Sequence, residues 1–478
     1  MAELRPLVLD VDGTFLKTDM LFECFWAGLG RAPLATLKAC ALHLRQPQRL
    51  KAELAQIAPL RTDLLPVNPD VAGYAASAVA DGRDVVLASA SDQTLVRALA
   101  DEYALSETVF ASDGVTNLKG QAKADALVAA FGERGFDYAG DAPVDRKIWD
   151  RADGALIVGK QDATAEALKA AGHRVTRVEG GWSLRDLIRA LRPHQWVKNV
   201  LLFLPMIAAH EFALATIGLV LLGIMAFSAV ASCIYIVNDL LDLEADRLHP
   251  TKQNRPFASG AVPIQVGMAT CAALGVFALG LAAVLSPAFL AVIFCYMVLA
   301  LSYSLRLKRM RWIDIATLAM LYTIRVIAGA AASGVEASFY MLVFIFPVFV
   351  TLGCVKRLTE LTLATSDERL PGRGYGRNDR GDLLNVGALG IIGALVIFFL
   401  YSRTPQAAEL YPTVWMLWLA LIPIAIWLIR MLALGFLGRQ DYDPIVFAMR
   451  DKLGIGLLLI TVSLMFYAAG LWAEWFGG

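Results

Sequence analysis

Beyond Asn199 the chain returns repeatedly to apolar runs of about twenty residues, and no other feature of the sequence constrains its fold as much. Crossing roughly 30 Å of hydrocarbon takes about 20 residues of helix, and a helix satisfies its own backbone groups where no water can. Candidate segments stand at 197–210, 214–237, 263–283, 287–305, 313–333, 338–355, 384–402, 411–433 and 453–474, the first of them short. The second part of the chain is therefore expected to be an all-α polytopic membrane domain of about nine transmembrane helices. With the N-terminus inside, the Lys and Arg residues past position 190 collect in inner segments. Arg403 alone lies in an outer loop, and Arg325 is left inside a span, away from its ends. That asymmetry orients multi-pass proteins and places the chain in the cell inner (cytoplasmic) membrane.

The first 180 residues read differently. Arg5 and Pro6 are followed by only a short apolar run before Asp10, too little for a secretory signal, so this part is expected in the cytoplasm. Apolar runs such as Val85 to Leu87 and Ala155 to Val158 alternate with amphipathic stretches at Thr94 to Ala104 and Lys123 to Ala130. Buried strands between helices predict an α/β doubly wound parallel sheet. Gly180 and Gly181 close this region, and Trp182 to Leu191, with Arg185, Arg189 and Arg192 at its edge, reads as an amphipathic helix suited to an anionic membrane surface. The expected organisation is an α/β domain over 1–180, a linker helix over 181–196 and a membrane domain over 197–478. Lys plus Arg number 43 and so do Asp plus Glu, a balance that excludes nucleic acid as a partner. Six cysteines without CxxC spacing support neither zinc nor a disulfide framework.

In the N-terminal part, Leu7-Val8-Leu9 leads into Asp10-Val11-Asp12-Gly13-Thr14, two carboxylates at the end of an apolar strand before a sharp turn. Asp10 can attack phosphorus to form an acyl phosphate, while Asp12 protonates the leaving oxygen and later activates water. A second strand ends at Ser89, whose hydroxyl can hold a phosphate oxygen. Lys123 stands at a helix start, with Lys119 as a rival read as a solvated loop residue. Asp141 and Asp145 follow a further strand, and Asp10 with Asp141 suffices for Mg²⁺, Asp145 orienting the outer shell. This ordered set resembles the four motifs of the haloacid dehalogenase superfamily, closest to its phosphoserine-phosphatase-like members, over about residues 5–160. The resemblance implies Asp10 as nucleophile, Asp12 as acid and base, Ser89 and Lys123 on phosphate, Asp10 and Asp141 on the metal, and a substrate-selecting helical cap over about 18–75.

In the membrane part, Asn238, Asp242 and Asp246, with Asp239 beside them, fall one helical turn apart and share a face. Such a cluster at a membrane boundary repels itself unless Mg²⁺ and a diphosphate sit there. Lys252 and Arg255 follow closely and supply cations for the remaining phosphate charge. This run resembles the first signature of the UbiA superfamily of intramembrane prenyltransferases, over residues 190–478. The second acidic cluster usual in the aromatic prenyltransferases of that superfamily is missing. In its place stand Tyr303 to Lys308, a single Asp314, Arg325 within the fifth span, Lys356 and Arg357 after the sixth, and Leu191 to Asn199 before the first. These segments look like decaprenyl-phosphate phosphoribosyltransferases.

The resemblance implies transfer of a phosphoribosyl group from phosphoribosyl diphosphate to a polyprenyl phosphate, dependent on Mg²⁺. Asp239 and Asp242 with Asn238 and Asp246 would hold the metal, and Lys198, Lys252, Arg255, Tyr303, Lys308, Asp314, Arg325 and Lys356 the substrates. The fused phosphatase would then remove the 5-phosphate. The alternative is transfer of a polyprenyl group from its diphosphate to an aromatic or other acceptor. For Arg325 the competing expectation is a structural pair with Asp314, and for Lys356 and Arg357 a role as charged anchors. The basic stretch Arg369 to Arg380 is expected as a solvated loop, and Asp441, Asp443 and Asp451 receive no role beyond a possible rim.

Overall fold

The computed structural model describes residues 4–364, 373–440 and 443–477. Arg369 and Asp441 lie outside the described residues. The chain forms two compact units, Met1–Leu191 with Tyr235–Ala272, and Arg192–Ile234 with Ala273–Gly478.

The first unit is built on six parallel strands, β1 (Leu7–Asp10), β2 (Val85–Asp92), β3 (Val109–Ser112), β4 (Asp137–Gly140), β5 (Gly154–Val158) and β6 (Arg174–Val178), in the order β3-β2-β1-β4-β5-β6. Strands β1 and β5 are buried along their whole length, which is why they read as continuous apolar runs rather than alternating ones. The order of strands reverses between β1 and β4, and ligands of doubly wound sheets bind outside the carboxyl ends at such a point. Asp10 ends β1, level with Ala88 of β2, and Asp141 follows β4. The stretch between β1 and β2 holds the helices Met20–Arg31, Pro33–His43, Pro47–Ile57 and Pro69–Ala80. Each has a physical start signal. Asp19 caps the first by accepting from the Leu21 N–H at 2.9 Å, and proline opens the other three. Ile236, Leu240, Leu243, Phe257, Val262 and Ile264 pack with Trp26, Leu187 and Ala190 in one buried cluster, which makes residues 235–272 part of this unit.

Among the described residues, seven helices are long and apolar enough to cross a membrane: Leu214–Leu241, Ile264–Leu285, Pro287–Leu305, Ile313–Ser333, Phe339–Leu363, Arg377–Tyr401 and Trp415–Phe436. The chain is thus a multi-pass membrane protein. Two of the nine expected spans fall short of that length. Around 197–210 the backbone forms a tight 3-10 stretch, Pro193–Phe203, and the short α-helix Leu204–Ala208, where Pro193 and Pro205 each open a new helical segment. Around 453–474 the 17-residue helix Lys452–Ala468 ends before Gly470, whose φ of +80° is left-handed, and Leu471–Phe476 follows as a separate turn.

Candidate functional site

In the first unit the carboxyl ends of β1, β2 and β4 gather the N-terminal motif residues. Lys123 Nζ donates to Asp10 Oδ1 at 2.8 Å, to the Ala88 carbonyl at 3.2 Å and to the Tyr138 hydroxyl at 3.1 Å. Asp12 Oδ2 accepts from the hydroxyls of Ser89 at 2.9 Å and Ser91 at 2.7 Å, and its Oδ1 from the Met20 N–H at 2.8 Å. Ser89 and Ser91 thus both hold Asp12 at the carboxyl end of β2, and Ser91 carries no motif signal of its own. Ligand oxygens of Asp10, Asp141 and Asp145 lie within 4.8 Å of one another. Burial raises Asp10 to about 7 against the pull of Lys123, and burial together with Asp145 raises Asp141 to about 6. Carboxylates crowded and desolvated in this way accept either protons or a divalent cation. Thr14 donates to Asp141 Oδ1 at 3.2 Å, and a Cβ on Gly13 would stand 2.4 Å from Asp141 Oδ2, so the DxDGT turn closes tightly on the cluster. Lys119 is exposed while Lys123 is buried.

The acidic motif of the membrane part spans the end of Leu214–Leu241 and the short helix Leu243–Arg247. Asp242 sits at the joint, yet the turn-to-turn bonds persist, from the Asp242 N–H to the Asn238 carbonyl at 3.0 Å and from the Asp246 N–H to the Asp242 carbonyl at 2.8 Å. One guanidinium nitrogen of Arg255 donates to Asp239 Oδ1 at 3.1 Å and Asp246 Oδ2 at 2.6 Å, which brings these two carboxylates to the same face. Burial raises Asp246 above the ordinary carboxylate range and Arg255 opposes the rise. Asn238 Oδ1 is buried without a hydrogen-bond partner. An orphaned oxygen costs on the order of 1–3 kcal/mol unless something binds it, and a hard cation suits an oxygen beside carboxylates. The residues therefore fit a divalent metal. Lys252 is half-buried on the turn Lys252–Asn254.

In the second unit, Lys198, Lys356 and Asp443 form a buried cluster. Lys198 pairs closely with Asp443 Oδ2, Lys356 Nζ stands 4.0 Å from the same oxygen, and the Tyr322 hydroxyl donates to it at 3.5 Å. Burial works against the charge of Asp443, but the two lysines hold its carboxyl down at about 2. Asp443 also caps Pro444–Ala448, accepting from the N–H groups of Ile445 and Val446 at 3.1 and 3.3 Å. From the sequence it stands no deeper than the rim, because nothing local links it to Lys198; its only local signal is the Asp-Pro start of a helix. Arg325, 5% exposed, donates to Asn199 Oδ1 at 3.2 Å and the Tyr296 hydroxyl at 3.2 Å, and its guanidinium lies 5.1–5.9 Å from the ring centres of Phe227, Tyr296 and Tyr322. Among the described residues no carboxylate pairs with it. The alternative of an Arg325–Asp314 pair does not form, because Asp314 is taken.

Asp314 pairs with Arg357 Nε at 2.7 Å, both fully buried, and Arg357 also pairs closely with Glu360. The Tyr303 hydroxyl donates to Asp314 Oδ1 at 2.9 Å and lies 3.1 Å from Arg357 Nη2 and 3.2 Å from Arg373 Nη1. Arg357 is thus no surface anchor. Half-buried Tyr303 and buried Asp314 belong to one ionic network with Arg357 and Arg373. Lys308 is half-buried on the turn Leu307–Arg309.

Residues 200–450 match the UbiA prenyltransferase family. An uncharacterized protein of Sinorhizobium fredii, y4nM, is 32% identical over 470 residues, covering 96% of this chain and 90% of that protein. A decaprenyl-phosphate phosphoribosyltransferase of Mycobacterium tuberculosis is 37% identical over 186 residues, 37% of this chain and 61% of that protein, so this chain spans less than two thirds of its length. The solved structure of a UbiA homolog from Archaeoglobus fulgidus bound to GPP and Mg²⁺ is similar at a TM-score of 0.45 and 16% identity, over 59% of this chain and 98% of that one.

Proposed function

For a chain that belongs to the UbiA prenyltransferase family, we propose a phosphoribosyl transfer from phosphoribosyl diphosphate to a polyprenyl phosphate, followed by removal of the product's 5-phosphate in the α/β region. The observation that carries this reading is the charge balance of the second unit. Asp314, the acid that opens Ile313–Ser333, is consumed by Arg357; Lys198 and Lys356 share the single carboxylate of Asp443, and among the described residues no carboxylate pairs with Arg325. Surplus buried cations suit a substrate pair carrying several phosphates better than a neutral aromatic acceptor.

Asn238, Asp239, Asp242 and Asp246 are the residues that would hold Mg²⁺, which when bound supplies positive charge for a diphosphate leaving group. Lys252 and Arg255 follow on the same turn and balance the remaining oxygens. Lys198, Arg325 and Lys356 bind phosphate oxygens. In the transfer, an oxygen of polyprenyl phosphate forms the new bond to C1 of the ribose and the diphosphate departs with the C1–O electron pair, so no proton needs to move.

In the α/β region, resembling a haloacid dehalogenase-type phosphatase, Asp10 attacks the 5-phosphate and the ribose oxygen leaves with a proton from Asp12. Water activated by Asp12 then releases phosphate from the acyl phosphate. Asp10, Asp141 and Asp145 suit a divalent cation, and Lys123 balances the nucleophile's charge. On this reading the α/β region lies in the cytoplasm, and tethering raises the effective concentration of the second site.

The test is mass spectrometry of lipids formed by purified protein supplied with labelled phosphoribosyl diphosphate and polyprenyl phosphate. Intact protein should yield a polyprenyl-phosphoryl-ribose, Asp10→Asn the same lipid with its 5-phosphate retained, and Asp239→Asn or chelator neither. Product from a labelled polyprenyl diphosphate and an aromatic acceptor, with none from phosphoribosyl diphosphate, would move the assignment to prenyl transfer.

A further inference from the structure

The segment after the acidic motif is met by a side chain from near the N-terminus. Glu23, on the helix Met20–Arg31, is 3% exposed and takes both arms of Arg247, at 2.6 Å from Nη2 to Oε1 and 3.1 Å from Nη1 to Oε2. Arg247 is the residue after Asp246. Its Nε donates to the Ala258 carbonyl at 3.0 Å, so its planar fork ties the start of the basic loop to its end. Within that loop Arg255 spans Asp239 and Asp246. The chain of contacts is continuous: Glu23 fixes Arg247, Arg247 fixes the 247–258 loop, and that loop sets Arg255 against two of the motif's carboxylates.

Three further contacts place this segment against the same helix and the turn that leads into it. Glu244 pairs with Arg31, the Gln265 amide donates to Asp19 Oδ2 at 3.2 Å, and Gly260, at φ +70°, approaches so closely that a Cβ would stand 2.6 Å from Lys17 Cβ. Between the two ion pairs lies a cavity of about 200 Å³, lined by Leu60, Leu64, Leu240 and Leu243 among others. Packing is incomplete there, so direction must come from the charged contacts. A bidentate pair between buried groups is the kind that fixes geometry, because breaking it strands a charge.

We propose that Glu23 is a positioning residue for the transferase motif: the α/β region holds, through Arg247, the loop that presents Arg255 to Asp239 and Asp246. The inference rests on the transferase reading of the acidic motif. It also reaches the phosphatase motif, because Thr18 donates to Glu23 Oε1 at 2.7 Å and the same helix start holds Asp12 through the Met20 N–H.

The experiment uses the full chain in detergent with Asp10→Asn as background, to remove binding at the N-terminal carboxylates. Glu23→Gln is compared with its parent by hydrogen exchange over residues 247–260 and by calorimetric titration of inorganic pyrophosphate in Mg²⁺. The expected result is faster exchange in that segment and about tenfold weaker pyrophosphate binding, recovered largely by Glu23→Asp, which keeps the charge. Arg247→Lys, which keeps charge but loses the tie to Ala258, should loosen the segment as well, and answers the question should Glu23→Gln fail to fold. Unchanged exchange, or unchanged affinity alongside a lowered melting temperature, would make Glu23 a merely structural partner and overturn the proposal. A parent protein that binds no pyrophosphate in Mg²⁺ would overturn the transferase reading of the motif, and the positioning role with it.

Discussion

Replacing Arg325 with methionine separates a structural cation from a substrate-binding one, because the two roles predict opposite balances of stability and affinity. A cation near the middle of a span costs about 2.5–3.5 kcal/mol on an insertion scale. Against that stand three aromatic faces at 5.1–5.9 Å, worth roughly 0.5–1 kcal/mol each. The hydrogen bonds to Asn199 and Tyr296, both at 3.2 Å, add about 1 kcal/mol apiece. These terms nearly cancel, so Arg325→Met should change unfolding stability by no more than about 2 kcal/mol. A charged hydrogen bond to a substrate phosphate is worth about 1.5–3 kcal/mol, and at roughly 1.4 kcal/mol per decade its loss weakens binding by about 10- to 150-fold. The assay pairs thermal unfolding in detergent with the KM for phosphoribosyl diphosphate. A KM within twofold of wild type, together with a stability loss beyond about 3 kcal/mol, would refute the reasoning and make Arg325 a packing residue.

Arg357→Met strands the Asp314 and Glu360 carboxylates in a fully buried site and should cost about 3–5 kcal/mol, and adding Asp314→Asn should recover part of it in a double-mutant cycle of unfolding free energies. Asp443→Asn frees Lys198 and Lys356 for anions, so calorimetry should find inorganic pyrophosphate bound roughly tenfold more tightly, a 1.4 kcal/mol change, with some loss of stability. The raised carboxyls of Asp10 and Asp141 make the metal-free fold bind more protons than the unfolded chain between about pH 4 and 7, so its stability falls as pH rises through that window. Mg²⁺ requires the ionised forms, and thermal unfolding should show it stabilising the protein at pH 8 but not at pH 5; equal effects at both would count against these carboxylates as its ligands.

The local parts of both sites were legible because local physics writes them. An apolar strand followed by DxDGT announces a strand end and a turn, and Gly13 is required where Asp141 closes on it. Acidic residues one helical turn apart announce a shared face, and backbone bonds between Asn238, Asp242 and Asp246 preserve it across the joint at Asp242. What could not be read were partnerships between distant positions. Asp443 neutralises Lys198, Asp314 is claimed by Arg357 rather than Arg325, and Glu23 meets Arg247, each pair fixed by packing that periodicity does not encode. Two of the nine segments fall short of a full α-helical span for physical reasons of their own: Pro193–Phe203 winds as a 3-10 stretch, which rises further per residue than an α-helix, and left-handed Gly470 ends the last helix.

The composition of the first unit bears on the parity of crossings. Met1–Leu191 and Tyr235–Ala272 form one compact unit, so both are expected on the same side of the membrane. The chain between them must cross an even number of times. Leu214–Leu241 is long and apolar enough for one crossing, so the preceding segment, Pro193–Ala208, is predicted to supply the other. Its eleven 3-10 residues and five α-helical ones, at about 2.0 and 1.5 Å each, extend roughly 30 Å, the thickness of the hydrocarbon. Prolines at Pro193 and Pro205 fit the tighter winding, for each removes a donor that an α-helix would use. Cysteines introduced at Glu211 and Gln253 should therefore be labelled by an impermeant maleimide from opposite faces of sealed vesicles. Labelling of both from one face would mean that Pro193–Ala208 turns back within the membrane, and the parity argument would fail with it.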